Sequence, residues 1–261
     1  PNPVLSFVNP NHDLMNPDLK LSYKLEVYAD EPLFAYRLFI DAESGEIIAK
    51  EDLIHHINKQ GKAVTRYSDT QQIMTDSFAL NSYRLRETGR GNGIETFNMK
   101  KGTSYGAAVD FVDTNNFWDT TNVNQDDIAT DAHWGAEWTY DYFQYFFGRN
   151  SYDNKGAKIR SYVHYSNNYN NAFWNGSVMT YGDGNGTVFT PLTSIDVCGH
   201  EVAHAVTTNT AALVYSYESG ALNESFSDIF GNSIENFAKP KLFNWKLGED
   251  ITPNGQGIRN M

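Results

Sequence analysis

A single cysteine, Cys198, stands in the 261 residues. No disulfide can close within the chain, and the thiol is expected to be buried rather than to bind metal. No apolar run approaches the length of a membrane span, so no membrane is expected among its partners. Basic residues are scarce: 20 Lys and Arg against 32 Asp and Glu leave a net charge of −12, and the one basic cluster is Lys100-Lys101. That balance excludes nucleic acid as a partner class. The chain opens without an initiator methionine or a signal-like apolar stretch, and reads as an internal piece of a longer precursor. Glycine clusters lie at 89–93 and 182–186. Neither sits in a strand-to-helix nucleotide unit, so both are expected to be hairpin turns and not phosphate loops. What is present suffices for a core, with 40% hydrophobic and 14% aromatic residues.

The segment His200-Glu201-Val202-Ala203-His204 carries the most specific chemistry. On an α-helix, positions four apart share a face and lie about 6 Å apart along the axis, so two imidazoles there can grip one metal ion. Glu201 projects about 100° away from His200, within reach of a water at the metal but badly placed to ligate, which is the position of a general base. A catalytic zinc takes three protein ligands and keeps a fourth position open. Glu224 is the candidate third ligand, on a second helical stretch from Gly220 to Phe237. Asp228 follows it by one turn on the same face and can orient a ligand histidine, with Asn223 as a further orienting group. Ser194 or Asp196 can cap the first helix, whose Val197, Ala205, Val206 and Ala211 are expected to face a core. On the second, Ile229, Phe230, Ile234 and Phe237 call for a helical partner, expected beyond residue 261.

These residues, with Glu218-Ser219-Gly220-Ala221-Leu222-Asn223-Glu224-Ser225-Phe226-Ser227-Asp228, resemble the thermolysin-like neutral zinc metallopeptidases. The resemblance extends upstream through Tyr169-Asn170-Asn171-Ala172-Phe173-Trp174-Asn175-Gly176 and Tyr181-Gly182-Asp183-Gly184, and downstream to Gly248-Glu249-Asp250 and Ile258-Arg259, covering roughly residues 62 to 261. It implies that His200, His204 and Glu224 bind one zinc, that Glu201 activates water, that Asp228 holds His200, and that Asn223 holds His204. It makes Tyr215 a donor to the developing oxyanion and Arg259 a contact to the substrate carbonyl. Asn171 and Ala172 would lie on an edge strand that pairs with an extended peptide. Phe189, Leu192, Val197 and Ile258 would line the pocket for the residue after the cut, favouring bulky hydrophobic side chains there. Calcium ligands are implied at Asp196, Glu235 and Glu249, with Asn244 as a further contributor. Lys246 stands where relatives with a paired site carry another carboxylate, so one calcium is expected rather than two.

The family also places a histidine further along, on its helical domain. Here the histidines are His12, His55, His56, His133, His164, His200 and His204, and the sequence ends at Met261. The expectation is a zinc-binding chain short of much hydrolytic power, with a longer, fully active parent.

Upstream, Leu21 to Tyr28 alternates apolar and polar residues, Phe34 to Ile40 reads as a second strand, and Asp41-Ala42-Glu43-Ser44-Gly45-Glu46 is a turn before Ile47-Ile48. This unit resembles the end of the propeptide of secreted family members, an intramolecular inhibitor and folding aid, which implies secretion. The polar stretch His55 to Asp69 is expected to be a linker and processing zone. Asp126-Asp127-Ile128 opens an aromatic helix through Phe147, stopping at Gly148, in which His133 is structural.

The fold class is α+β. Residues 1–58 are expected to be the C-terminal part of a propeptide, 59–215 a β-rich catalytic domain with the zinc helix, and 216–261 the start of a helical domain. The function expected is zinc-dependent endopeptidase action on peptide or protein substrates. The alternatives are a zinc-stabilised module that binds peptides without cutting them, and an inhibitory or chaperone role led by residues 1–58.

Overall fold

The computed structural model describes residues 2–11, 15, 17–30, 33–53, 57–79, 81–119, 126–242 and 244–261. His12, His55 and His56, and with them the opening of the expected processing zone, lie outside the described residues. The chain divides into two compact units, Pro1–Ile57 and Asn58–Met261.

In the first unit, β1 (Val4–Val8), β2 (Lys20–Asp30), β3 (Leu33–Asp41) and β4 (Ile47–Asp52) form an antiparallel meander in that order. The expected turn between β3 and β4 is built by Asp41, whose Oδ1 accepts the amides of Glu43 and Ser44 at 2.9 and 2.8 Å. The unit is thus larger than the expected hairpin, because β1 pairs along the full length of its five residues with β2.

The second unit contains β5 (Ile57–Val64), β6 (Thr70–Ala79), β7 (Ser82–Arg84), β8 (Arg86–Glu87), β9 (Ile94–Asn98), β10 (Val109–Asp110), β11 (Val112–Asp113) and β12 (Phe117–Trp118). Then come α1 (Asp126–Phe147), β13 (Ile159–Val163), β14 (Ala172–Trp174), β15 (Met179–Tyr181), α2 (Ile195–Thr208), α3 (Tyr217–Ala238), β16 (Lys246–Leu247) and β17 (Arg259–Asn260). One sheet runs β11-β7-β6-β5-β12 and another β10-β9-β13-β15-β14, with β8 added to β9. Among the described residues β14 therefore forms an edge.

Several expectations are corrected. Residues 57–64 are a strand and not a linker: β5 buries Gly61 and Ala63 between exposed neighbours, an alternation carried by residues too small to register as apolar. The cluster at 89–93 does join antiparallel β8 and β9, but residues 182–186 lead from β15 toward α2 and close no hairpin. α2 ends at Thr208, where the Asn209 amide closes on Ala205 and Val206 carbonyls, so Ala211 lies past the helix and is exposed. Finally, the apolar face of α3 finds its partner upstream. Phe230 meets Phe143 with ring centroids 5.0 Å apart, Phe237 meets Trp138 at 5.3 Å, and Ile234 is fully buried. Only Ile229 of that expected set stays exposed.

Close backbone approach lets the three helices meet. A Cβ on Gly135 of α1 would sit 2.7 Å from the Cβ of Cys198 on α2, and one on Gly231 of α3 would sit 2.4 Å from the Asp196 carbonyl oxygen. Only glycine fits such crossings. They bring α2 and α3 side by side with their polar faces turned to the same cleft.

Beneath α1 lies a buried charge arrangement. His133 bonds Thr96 Oγ1 and the Met74 carbonyl through its two nitrogens, at 3.0 and 2.8 Å, and burial holds its pKa down at about 4. Glu137 accepts the Met74 amide at 2.8 Å. Arg90 lies 3.2 Å from Glu137 but makes a bidentate pair with Asp141 at 2.8 Å. Burial raises Glu137 to about 8, with Arg90 and the Met74 amide opposing the rise. A carboxyl whose folded pKa exceeds its unfolded value contributes stability that is full below the unfolded value and is lost as pH rises through the folded one. Wild-type stability should therefore decline relative to Glu137→Gln between about pH 4.5 and 8, while the two agree within about 1 kcal/mol near pH 4. Thermal melts across that range check it, and a variant less stable at pH 8 than at pH 4 relative to wild type would contradict it.

Candidate metal centre and substrate cleft

His200, Glu201 and His204 leave α2 on its cleft side, and Asn223, Glu224 and Asp228 leave α3 to face them. The two imidazole Nε2 atoms are 3.0 Å apart, and each lies 3.4 Å from its own oxygen of the Glu224 carboxylate, Oε2 for His200 and Oε1 for His204. The outer ring nitrogens are already assigned. His200 Nδ1 is 2.9 Å from Asp228 Oδ1; His204 Nδ1 is 2.7 Å from Asn223 Oδ1 and 3.0 Å from Ser227 Oγ. In the neutral tautomer that carries its proton on Nδ1, each imidazole would turn an Nε2 lone pair inward alongside a carboxylate. Such a convergence of two imidazole nitrogens on a carboxylate suits a cation. The separations are close to the ligand spacing of about 3.3 Å that metal–ligand bonds near 2.05 Å give in a tetrahedron. The donor set therefore fits zinc.

Charge reinforces the arrangement. Burial pulls His200 down, but the Asp228 and Glu224 carboxylates outweigh it and raise the imidazole to about 9. His204 is lowered by burial and by its neighbour His200. Contact with His200 depresses Glu224 to about 2, so it is a carboxylate throughout the neutral range. Glu201 is buried and takes no place in that convergence; burial lifts it to about 7, with His200 opposing and Glu224 adding to the rise. A dication beside it would pull that value back down.

The cleft beside these groups encloses about 640 Å³. All the expected substrate residues line it: Asn171 and Ala172 at the start of edge strand β14, then Phe189, Leu192, Val197, Ile258 and Arg259. Leu247 and Ile251 add to the apolar wall; they come from β16 and the segment that follows it, where no periodicity marked them. Tyr215 also faces the cleft, its hydroxyl donating to Glu224 Oε1. Arg259 is more committed than expected, gripping Asp228 through Nε and Nη2 at 2.5 and 2.6 Å. It thus braces the carboxylate that orients His200.

Asp196, Glu235 and Glu249 form a second convergence, with ligand oxygens within 4.8 Å of one another. Asn244 does not offer its oxygen to that cluster: the amide nitrogen donates to Glu249 at 2.5 Å and the oxygen accepts the Lys246 amide. Lys246 Nζ turns away to the Gly255 carbonyl.

A histidine pair and a glutamate converge from crossed helices beside a buried carboxylate and a strand edge, a donor set suited to binding a metal ion. Residues 59–208 match the family model described as thermolysin metallopeptidase, catalytic domain, and residues 211–261 match its alpha-helical domain. The chain belongs to the thermolysin metallopeptidase family. It is 46% identical over 246 residues to a bacillolysin of Brevibacillus brevis, covering 92% of this chain and 44% of that protein. With a thermolysin of Alicyclobacillus acidocaldarius subsp. acidocaldarius it shares 38% over 259 residues, covering 93% and 46%. Among solved structures it is similar to the precursor of protealysin, a metalloproteinase from Serratia proteamaculans, with a TM-score of 0.56 at 35% identity over 64% of this chain and 52% of that one. The chain spans less than half the length of these two curated relatives.

Proposed function

We propose that the protein is a zinc-dependent endopeptidase that cuts before bulky hydrophobic residues. The observation that carries this reading is the convergence of His200, His204 and Glu224, with separations of 3.0 to 3.4 Å, set beside buried Glu201 and the open edge of β14. When bound, zinc supplies Lewis acidity toward the scissile carbonyl and toward water. The chain's own groups do the rest. The backbone at Asn171 and Ala172 pairs with an extended substrate and sets the carbonyl in place. Glu201 takes the proton of the attacking water as its oxygen bonds to the carbonyl carbon, then gives that proton to the amine nitrogen as the C–N bond breaks. Tyr215 and Arg259 donate to the oxygen on which charge accumulates. Phe189, Leu192, Val197 and Ile258 receive the side chain after the cut, and their apolar surface favours a large aliphatic or aromatic group.

Residues 1–58 are assigned as the end of a propeptide acting as an intramolecular inhibitor, 59–215 as the catalytic domain and 216–261 as the opening of a helical domain. The 92% coverage by the bacillolysin supports the first assignment, since residues 58–261 are only about 78% of the chain and the similarity must reach upstream of them. The precursor form of the similar structure agrees with it. Secretion follows from the same reading. Asp196, Glu235 and Glu249 are assigned to one structural calcium ion.

Titrating metal-free protein with zinc should show one equivalent bound, reduced at least about tenfold in affinity in His204→Ala. Zinc-loaded protein from which residues 1–58 have been removed by limited proteolysis should cleave casein and release fragments beginning with Leu, Ile or Phe. Uptake without cleavage would favour the peptide-binding alternative; absence of uptake would overturn both readings.

A further inference from the structure

We propose that His164 and Asp183 are positioning residues that fix the distance between the substrate-pairing edge strand and the pocket for the residue after the cut. The proposal rests on the peptidase reading above and concerns a pair outside the metal centre.

Strands β13 and β15 run parallel and adjacent, so the residues that follow them meet. His164 comes directly after β13 and turns there with φ +59, its carbonyl held by the Lys101 amide at 2.8 Å. Its buried ring presents Nδ1 to Asp183 Oδ1 at 2.8 Å. Neither His164 Nε2 nor Asp183 Oδ2 has another hydrogen-bond partner among the described residues. The contact between them is thus the polar link that anchors the Asp183 side chain.

Asp183 belongs to the strip Gly182-Asp183-Gly184, which lies between the two halves of the cleft. On one side the Gly182 amide donates to the Asn171 carbonyl and the Gly184 amide to the Tyr169 carbonyl, each at 3.0 Å. On the other, the Leu192 amide donates to the Gly182 carbonyl at 3.0 Å. A Cβ on Gly182 would stand 2.1 Å from the Tyr169 carbonyl oxygen, and one on Gly184 would stand 2.1 Å from that of Phe189. Both glycines are therefore in backbone contact with their neighbours, one toward the edge strand and one toward the pocket wall. Asp183 is the only residue of the strip with a side chain to hold, and His164 holds it. Releasing it lets Asn171 and Leu192 shift relative to one another. A shift there alters how deeply a side chain enters the pocket once the backbone is paired.

The test is a ratio. The kcat/KM values for two peptides that differ only in Leu or Ala after the scissile bond should keep their wild-type ratio within about twofold in Asp183→Asn, whose amide oxygen still accepts from Nδ1–H. In Asp183→Ala the ratio should fall by about fivefold or more, a sizeable part of what one apolar pocket can discriminate. His164→Asn, which tolerates the left-handed backbone but does not reach Asp183, should fall likewise. Zinc content should stay at one equivalent in all of them. A purely structural loss lowers both rates together and leaves the ratio unmoved, and that result in both disruptive variants would overturn the proposal. Calorimetric binding of both peptides to protein carrying Glu201→Gln gives the same ratio without turnover. If that protein with Asp183 intact binds the two peptides equally, or neither of them, the pocket reading has failed rather than the positioning role alone.

Discussion

Glu201→Gln is expected to bind zinc as wild type does and to lose about 10³-fold in turnover, within the range assigned to a general base. The substitution keeps the shape of a buried side chain that takes no part in the 3.0 to 3.4 Å convergence, so the metal site has no reason to change. It removes only the capacity to accept a proton. The pH profile follows with a definite sign. The working form is the carboxylate, so kcat/KM falls as pH drops through the Glu201 pKa. Burial places that value at about 7 before any metal is considered. A bound dication stabilises the charged form, so the acidic limb of the zinc enzyme should lie below that value. Zinc analysis beside single-turnover rates separates the outcomes: retained turnover would remove Glu201 from the proton path, and lost zinc would make it part of the metal site instead.

Calcium should raise the melting temperature of the zinc-loaded protein by about 5–10 °C at a hundredfold excess over its dissociation constant, the linkage value of about 2.7 kcal/mol for a domain of this size. The cause is repulsion. Asp196, Glu235 and Glu249 turn their oxygens toward one another within 4.8 Å, and one oxygen each of Glu235 and Glu249 is buried without a hydrogen-bond partner. Burial, with Asp196 next, pushes Glu235 to about 8. Lys239, 3.2 Å from Glu235, offsets only part of this. Glu235→Gln should abolish the calcium response while raising the melting temperature measured without calcium. A wild-type melt that ignores calcium would leave the cluster as three acids with no cation to serve.

How much was legible in the sequence depends on how local each feature is. The placement of His200, Glu201 and His204 follows from helical pitch, and Glu224 with Asp228 repeats that logic one helix later. Ser227 was visible in the motif but its bond to His204 was not, because that depends on how α2 and α3 cross. The crossing itself turns on Gly231, a residue that sequence reading scores only as a weak helix former. The partner of Phe230 and Phe237 was sought after residue 261, yet it is α1, far upstream and close only in space. Strand β5 was hidden for a chemical reason, its buried positions being Gly61 and Ala63. The edge strand, the pocket wall and the acidic cluster were legible through family resemblance alone.

The unequal burial of α3 divides that helix into two mechanical regimes. Its C-terminal half is clamped by the rings of α1 and by Ile234, while Leu222 and Phe226 in its N-terminal half remain exposed. Local opening starts where fewest apolar contacts must be broken. Glu224 rides on the looser half and the two histidines on α2, most of whose residues are buried. If the site holds zinc as proposed, fraying the first turns of α3 would release Glu224 and the Asn223 contact to His204 together, while His200 would keep its contact to Asp228 further along the helix.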